Sequence, residues 1–196
     1  MRTSPAIFVF LMAMIASTSA LAQNIYVGVG AGQVSADIDC ELDITCSVDD
    51  SDTGYKIFAG YKFTPNFALE GAYIDGGEVS ESGTDSFLGT ASGKIETTGF
   101  NIAAVGIWPV SKRFSIQGKA GVFIWDMDIS LDSSTQGSDS VTESGNAGMF
   151  GVGATFYFTE RFGVLVEYEK FLNVGNEDVT GESDVDFASA SLVVTF

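Results

Sequence analysis

The stretch MFGVGATFYF (149–158), TER (159–161) and FGVLVEYEKFL (162–172) decides the fold. Before the central Thr-Glu-Arg, residues alternate strictly. Phe150, Val152, Ala154, Phe156 and Phe158 share one face, and Gly151, Gly153, Thr155 and Tyr157 the other. After it, Phe162, Val164, Val166 and Tyr168 oppose Gly163, Leu165, Glu167 and Glu169. A period of 2 on both sides of a three-residue polar break reads as two β-strands joined by a tight turn. One face is apolar throughout, and the other mixes small, polar and charged residues.

The pattern recurs outward in both directions. Strands are expected at 24–34, 53–63, 67–74, 93–108, 114–125, 149–158, 162–172 and 185–196, eight in all. The connections alternate in length. Residues 64–66, 109–113 and 159–161 are short turns, whereas 35–52, 75–92, 126–146 and 173–186 are long and polar. Short connections at one end and long ones at the other describe an all-β, eight-stranded antiparallel up-and-down barrel. Alternation alone does not say which face is inside: a soluble barrel turns its apolar face inward, a membrane barrel outward. Three features favour a membrane. Tyr61, Phe63, Phe67, Trp108, Phe114, Phe156, Phe158, Phe162 and Phe196 cluster beside the short turns or the terminus, as an interfacial girdle does. The mixed face carries glycine rows such as Gly28, Gly30 and Gly32, which leave room for charged side chains in a narrow lumen. The chain also stops on an aromatic within its last strand.

The first 22 residues are expected to be a cleaved signal peptide. Arg2 is the basic flank, residues 6–15 form an apolar run, and Ala20-Leu21-Ala22 is a small-x-small cleavage site. The mature barrel domain then spans 23–196. Of the whole 196-residue chain, 26 residues are acidic, 9 are Lys or Arg and none is His, for a net charge of −17. Such acidity argues against nucleic acid as a partner. Hydrophobic residues at 45% argue against a disordered acidic chain.

The run Gly60-Tyr61-Lys62-Phe63-Thr64-Pro65-Asn66-Phe67-Ala68-Leu69-Glu70, the segment from Gly99 through Pro109 to Trp125, and the terminal Ser191-Leu192-Val193-Val194-Thr195-Phe196 together resemble the outer-membrane protein A transmembrane-domain family. The resemblance covers 23–196. It implies a monomeric barrel in the outer membrane of a Gram-negative cell, with its turns in the periplasm, its loops outside and lipid and lipopolysaccharide around it. It also implies that the barrel-assembly machinery recognises the closing strand at Phe196. No periplasmic peptidoglycan-binding domain follows, so cell-wall tethering is not implied. Where the family can place basic residues in strands four and eight, this chain has Val105 and Thr195. An ion-pair gate is therefore not carried over.

Candidate sites are few. Lys62, Glu70, Lys119 and Glu167 fall on the polar faces and are expected to pair in the lumen, because an isolated charge there is costly. They act as an ion gate or as a structural plug. The plug is favoured, since eight strands enclose just enough space for side chains. The four long connections hold 21 of the 26 acidic residues and no Lys or Arg. Plain solvation explains such charge runs, and divalent cations or a host or phage surface are the candidate partners. Asp37, Asp39, Glu41 and Asp43 form a candidate loop cation site. It is not an EF-hand, because Leu42 and Val48 stand where Gly and Glu would be required. Cys40 and Cys46 read as a disulfide in an exported protein. Gly28, Gly30 and Gly32 are not a nucleotide loop, because no helix follows them. No cofactor, metal centre or catalytic residue is expected: histidine is absent, and Glu167 with Glu169 lacks a visible cleft. The role expected is structural and surface-interacting, and a small cation-preferring channel is the alternative.

Overall fold

The computed structural model describes residues 24–36, 51–85, 89–133, 137–176 and 181–196. It holds eight strands: β1 (Ile25–Ala36), β2 (Ser51–Thr64), β3 (Phe67–Asp85), β4 (Gly89–Pro109), β5 (Phe114–Ser133), β6 (Gly137–Tyr157), β7 (Phe162–Asn176) and β8 (Gly181–Thr195). Each pairs antiparallel with the next, and β8 returns to β1, closing the barrel. The expected signal peptide and Asp37, Asp39, Cys40, Glu41, Asp43 and Cys46 lie outside the described residues.

The apolar face is outside. Val29, Ile57, Leu69, Ile102, Val122, Ile124, Val152, Val166 and Leu192 are all exposed on the barrel wall. Phe63, Phe67, Trp108, Phe156, Phe158 and Phe162 are exposed near the turns. Tyr55, Tyr73 and Phe100 lie on the opposite side of this apolar band and form a second aromatic level beside the one near the turns. Eight residues separate Phe63 from Tyr55 on β2. At ~3.3 Å per residue and a tilt of ~45°, they span roughly 19 Å along the membrane normal, of the order of a barrel's apolar band.

The short turns are fastened by threonines. Thr64 Oγ1 accepts from the backbone N–H of Asn66 (3.2 Å) and Phe67 (3.0 Å). Thr159 Oγ1 does the same for Arg161 (3.3 Å) and Phe162 (3.0 Å). A short hydroxyl that satisfies turn N–H groups replaces ladder bonds where the chain reverses.

The long connections differ from expectation. Segments 75–92 and 126–146 are mostly strand: the β3–β4 ladder runs out to Asp85↔Gly89 and the β5–β6 ladder to Ser133↔Gly137. β4 and β5 stay paired out to Ala91↔Ser133. The loop side therefore carries a four-stranded wall. β3 leaves the barrel at a bulge between Asp75 and Glu78, where Gly77 takes a positive φ of 81° and donates its N–H to Asp75 Oδ1 at 3.1 Å. β7 carries the matching irregularity at Asn173 (φ 55°). Bulges of this kind bend a strand and re-aim it at a barrel rim.

Candidate functional site

The lumen is layered. On the loop side Ile74, Phe123, Trp125, Met149, Phe171, Val174 and Phe187 form an apolar cluster. On the turn side Tyr26, Phe58, Ala68, Val105, Ile107, Leu165 and Val193 form another. Between them lie Lys56, Glu70, Lys119, Glu167 and Glu169, all buried. Lys56 marks the sandwich directly: its Nζ lies 5.3 Å from the Phe58 ring below and 5.8 Å from the Phe187 ring above.

Lys56 Nζ donates to Glu167 Oε2 at 2.6 Å and to Glu169 Oε2 at 2.5 Å. Lys119 Nζ lies 2.9 Å from Glu70 Oε1, 2.9 Å from Glu167 Oε1 and 3.0 Å from Glu169 Oε1. Three carboxylates thus face two ammonium groups, a formal charge of −1. Neutral donors supplement them: Tyr26 OH donates to Glu70 Oε2 at 2.8 Å, and Gln117 Nε2 donates to Glu167 Oε1 at 2.9 Å. Such charges are tolerable in a low-dielectric interior only when paired and hydrogen-bonded.

Glycines make the geometry possible. Lys119 is level with Gly151, and Gly151 with Glu169, so the pair reaches across a residue without a side chain. A Cβ at Gly151 would lie 3.1 Å from Glu169 Cγ and 3.3 Å from Lys119 Cγ. Gln117, Gly153 and Glu167 repeat the arrangement, as do Tyr26, Gly60 and Glu70. Lys56 crosses β1 and β8 over Gly30 and Ser191. Asn101 is fully buried beside these layers, and neither of its amide atoms has a hydrogen-bond partner among the described residues.

Of the residues expected in the cluster, Glu70, Lys119 and Glu167 come together and Lys62 does not. The Tyr26 ring lies over Gly60 and takes Glu70 itself, and Lys62 Nζ rests 5.5 Å from that ring on the turn side. Lys56 is the second cation instead, and Glu169 the third carboxylate. The signal for both is register. Lys56 and Glu169 have inward phase in their strands, but Lys56 meets β7 only through the closed ring. Val105 lies in the turn-side apolar cluster, level with Lys119 on β5 and diagonal to Glu70 on β3.

No curated protein matches the chain by sequence. Among solved structures it is similar to Ail, the attachment invasion locus protein of Yersinia pestis, crystallised with the heparin analogue sucrose octasulfate. The two are 17% identical over 88% of this chain and 97% of that one, with a TM-score of 0.54. Neisserial surface protein A is 16% identical over 88% and 97%, with a TM-score of 0.56. OprG, an outer-membrane protein of Pseudomonas aeruginosa, is 11% identical over 89% and 98%, with a TM-score of 0.54. At such identities the likeness shows the fold. The model of the OmpA-like transmembrane domain matches residues 20–196. The chain belongs to the OmpA-like transmembrane domain family and is an eight-stranded β-barrel of the outer membrane.

Proposed function

We propose that the barrel is a closed anchor, and that its work is done by the acidic wall it raises on the loop side. The observation that carries this reading is the layering of the lumen: an ionic layer held between two apolar clusters. A conducting path needs polar lining from end to end, and here rings of aromatic and aliphatic side chains interrupt it twice. In this reading the loops face the exterior and the turns the periplasm. The chain matures at Gln23 after loss of residues 1–22, and Cys40 and Cys46 form a disulfide that stiffens the first loop. Phe196 is the residue offered to the assembly machinery.

The partner class follows from charge. Asp126, Asp128 and Glu143 belong to the loop-side wall, and Asp184 and Asp186 lie at the loop-side end of β8. Lys170 is committed to two of them, Asp184 at 3.2 Å and Asp186 at 3.6 Å. Sucrose octasulfate, the molecule crystallised with Ail, is a polyanion. This chain's loop side is itself acidic and would repel such a ligand, so the partners proposed are divalent cations that bridge lipopolysaccharide, or a basic host or phage surface. A small cation-preferring channel is the second reading. It is favoured by the layer's formal −1 and by the polar atoms of Asn101, Ser189 and Ser191 that have no partner among the described residues.

Planar-bilayer conductance of the refolded mature protein separates the two readings. The anchor predicts no steady unitary steps, and reproducible cation-selective steps would replace it with the pore. Orientation has its own test. Cysteines introduced at Ser134 and Asn176 should react with an impermeant reagent on intact cells, and one at Glu160 should not. Equal labelling of all three would reverse or abolish the assigned topology.

A further inference from the structure

We infer that the turn-side mouth of the barrel is a binding site for a phosphate-type oxyanion, held by Lys62 and Lys112. A cavity of about 240 Å³ opens there, with Lys62, Lys112, Ser111, Ser115 and Thr195 around it and Ile107 at its inner end. Ile107 belongs to the turn-side apolar cluster, so the cavity ends blindly against a dry layer.

Lys62 is the reason to expect an anion. Lys56 and Lys119 are each paired with two or three carboxylates. Lys62 points into the same barrel and is half-buried, yet has no carboxylate partner among the described residues; its recorded neighbour is the Tyr26 ring. An ammonium withdrawn from water needs a counter-charge. A second, independent feature lies in the same cavity. Thr195 Oγ1 is buried and has no hydrogen-bond partner among the described residues. The hydroxyls of Ser111 and Ser115 and the ammonium of Lys112 complete a donor-rich wall. Glu160, on the rim, leaves the mouth with a net positive charge.

Several donors converging from different sides suit a tetrahedral oxyanion, whose oxygens accept in all directions. Lysine serves such a group as a compact point charge. The cavity has room for the anion and a small substituent. Free phosphate and a phospholipid headgroup share this chemistry and both reach the periplasmic face.

The test is calorimetric titration of the refolded protein in a non-ionic, phosphate-free detergent. One probe is inorganic phosphate, and the other is glycerophosphoglycerol, a headgroup without its acyl chains. Saturable binding is expected for at least one probe, and the tighter one identifies the source. Lys62→Gln and Lys112→Gln should each weaken it by about tenfold or more. Lys170→Gln, an equal loss of charge at the far end, should change it by less than about twofold. Retention of the heat-modifiable gel shift verifies that each variant is folded. No saturable binding of either probe would overturn the inference. So would equal binding by the folded Lys62→Gln variant, or an equal loss in Lys170→Gln.

Discussion

Replacing Lys119 with methionine should destabilise the barrel by about 3–5 kcal/mol, the cost of breaking a buried ion pair from one side. Among the described residues, Lys119 Nζ is the only group in contact with all three carboxylates, Glu70, Glu167 and Glu169. Without it, three acids face Lys56 alone in a layer that excludes water above and below. Methionine has a similar volume, so the loss reports charge rather than a cavity. The double variant Lys119→Met with Glu169→Gln removes one charge of each sign and should recover part of the loss. The measurement is the urea midpoint of protein refolded into lipid vesicles, followed by the fluorescence of Trp125, which packs in the adjacent cluster. A loss below about 1 kcal/mol, the range of a solvent-exposed pair, would show that water reaches the layer and would weaken the closed-anchor reading.

Gly32→Val should be nearly as damaging, at roughly 3 kcal/mol, the upper part of the range for overpacking. Gly32 lies opposite Ser189 where β1 meets β8, and any Cβ there would collide with the Ala188 carbonyl oxygen. Backbone, unlike a flexible side chain, cannot rotate away. Gly148 provides the control: it faces outward, and a Cβ there meets only Leu172 Cδ1 at 3.7 Å. Gly148→Ala should fall within about 0.5 kcal/mol of the parent. The fraction folded at a fixed lipid ratio, read by gel mobility, measures both. Full folding of Gly32→Val would mean that the first and last strands pair in another register.

These two positions show what the sequence could and could not disclose. The apolar face was legible at Phe150, Val152, Phe156 and Phe158, because their alternation with Gly151 and Gly153 is a local property of one strand; that it faces lipid was legible only from the aromatics gathered beside the turns and the small residues of the other face. The glycines were legible as lumen space, and they are the positions over which Lys119–Glu169 and Tyr26–Glu70 reach. The extent of the strands was not. Residues 78–85 and 137–146 are rich in Ser, Gly, Asp and Glu, poor strand formers, and are held extended by neighbours already in register. Lys56 was missed for a different reason. Its partners are 111 and 113 residues away and become its neighbours only in a closed ring. Lys62 shares the polar face but not the cluster, because Tyr26, from the strand on the other side, takes the contact with Glu70.

The bond from Lys56 to Glu167 and Glu169 has a consequence for the order of folding. In an open sheet β2 and β7 are five strand spacings apart, roughly 24 Å at ~4.8 Å each, too far for a lysine to span. They meet only across β1 and β8, after the first and last strands have joined. Lys119, by contrast, finds Glu70 two strands away on one side and Glu169 two strands away on the other, within a sheet that is still open. An unclosed sheet that slides into hydrocarbon therefore carries a bare ammonium with it, whereas a sheet that curls shut first carries that ammonium in already neutralised. The lower barrier belongs to the second route. Closing the ring is thus the step that brings Lys56 to its carboxylates and hides its charge from hydrocarbon.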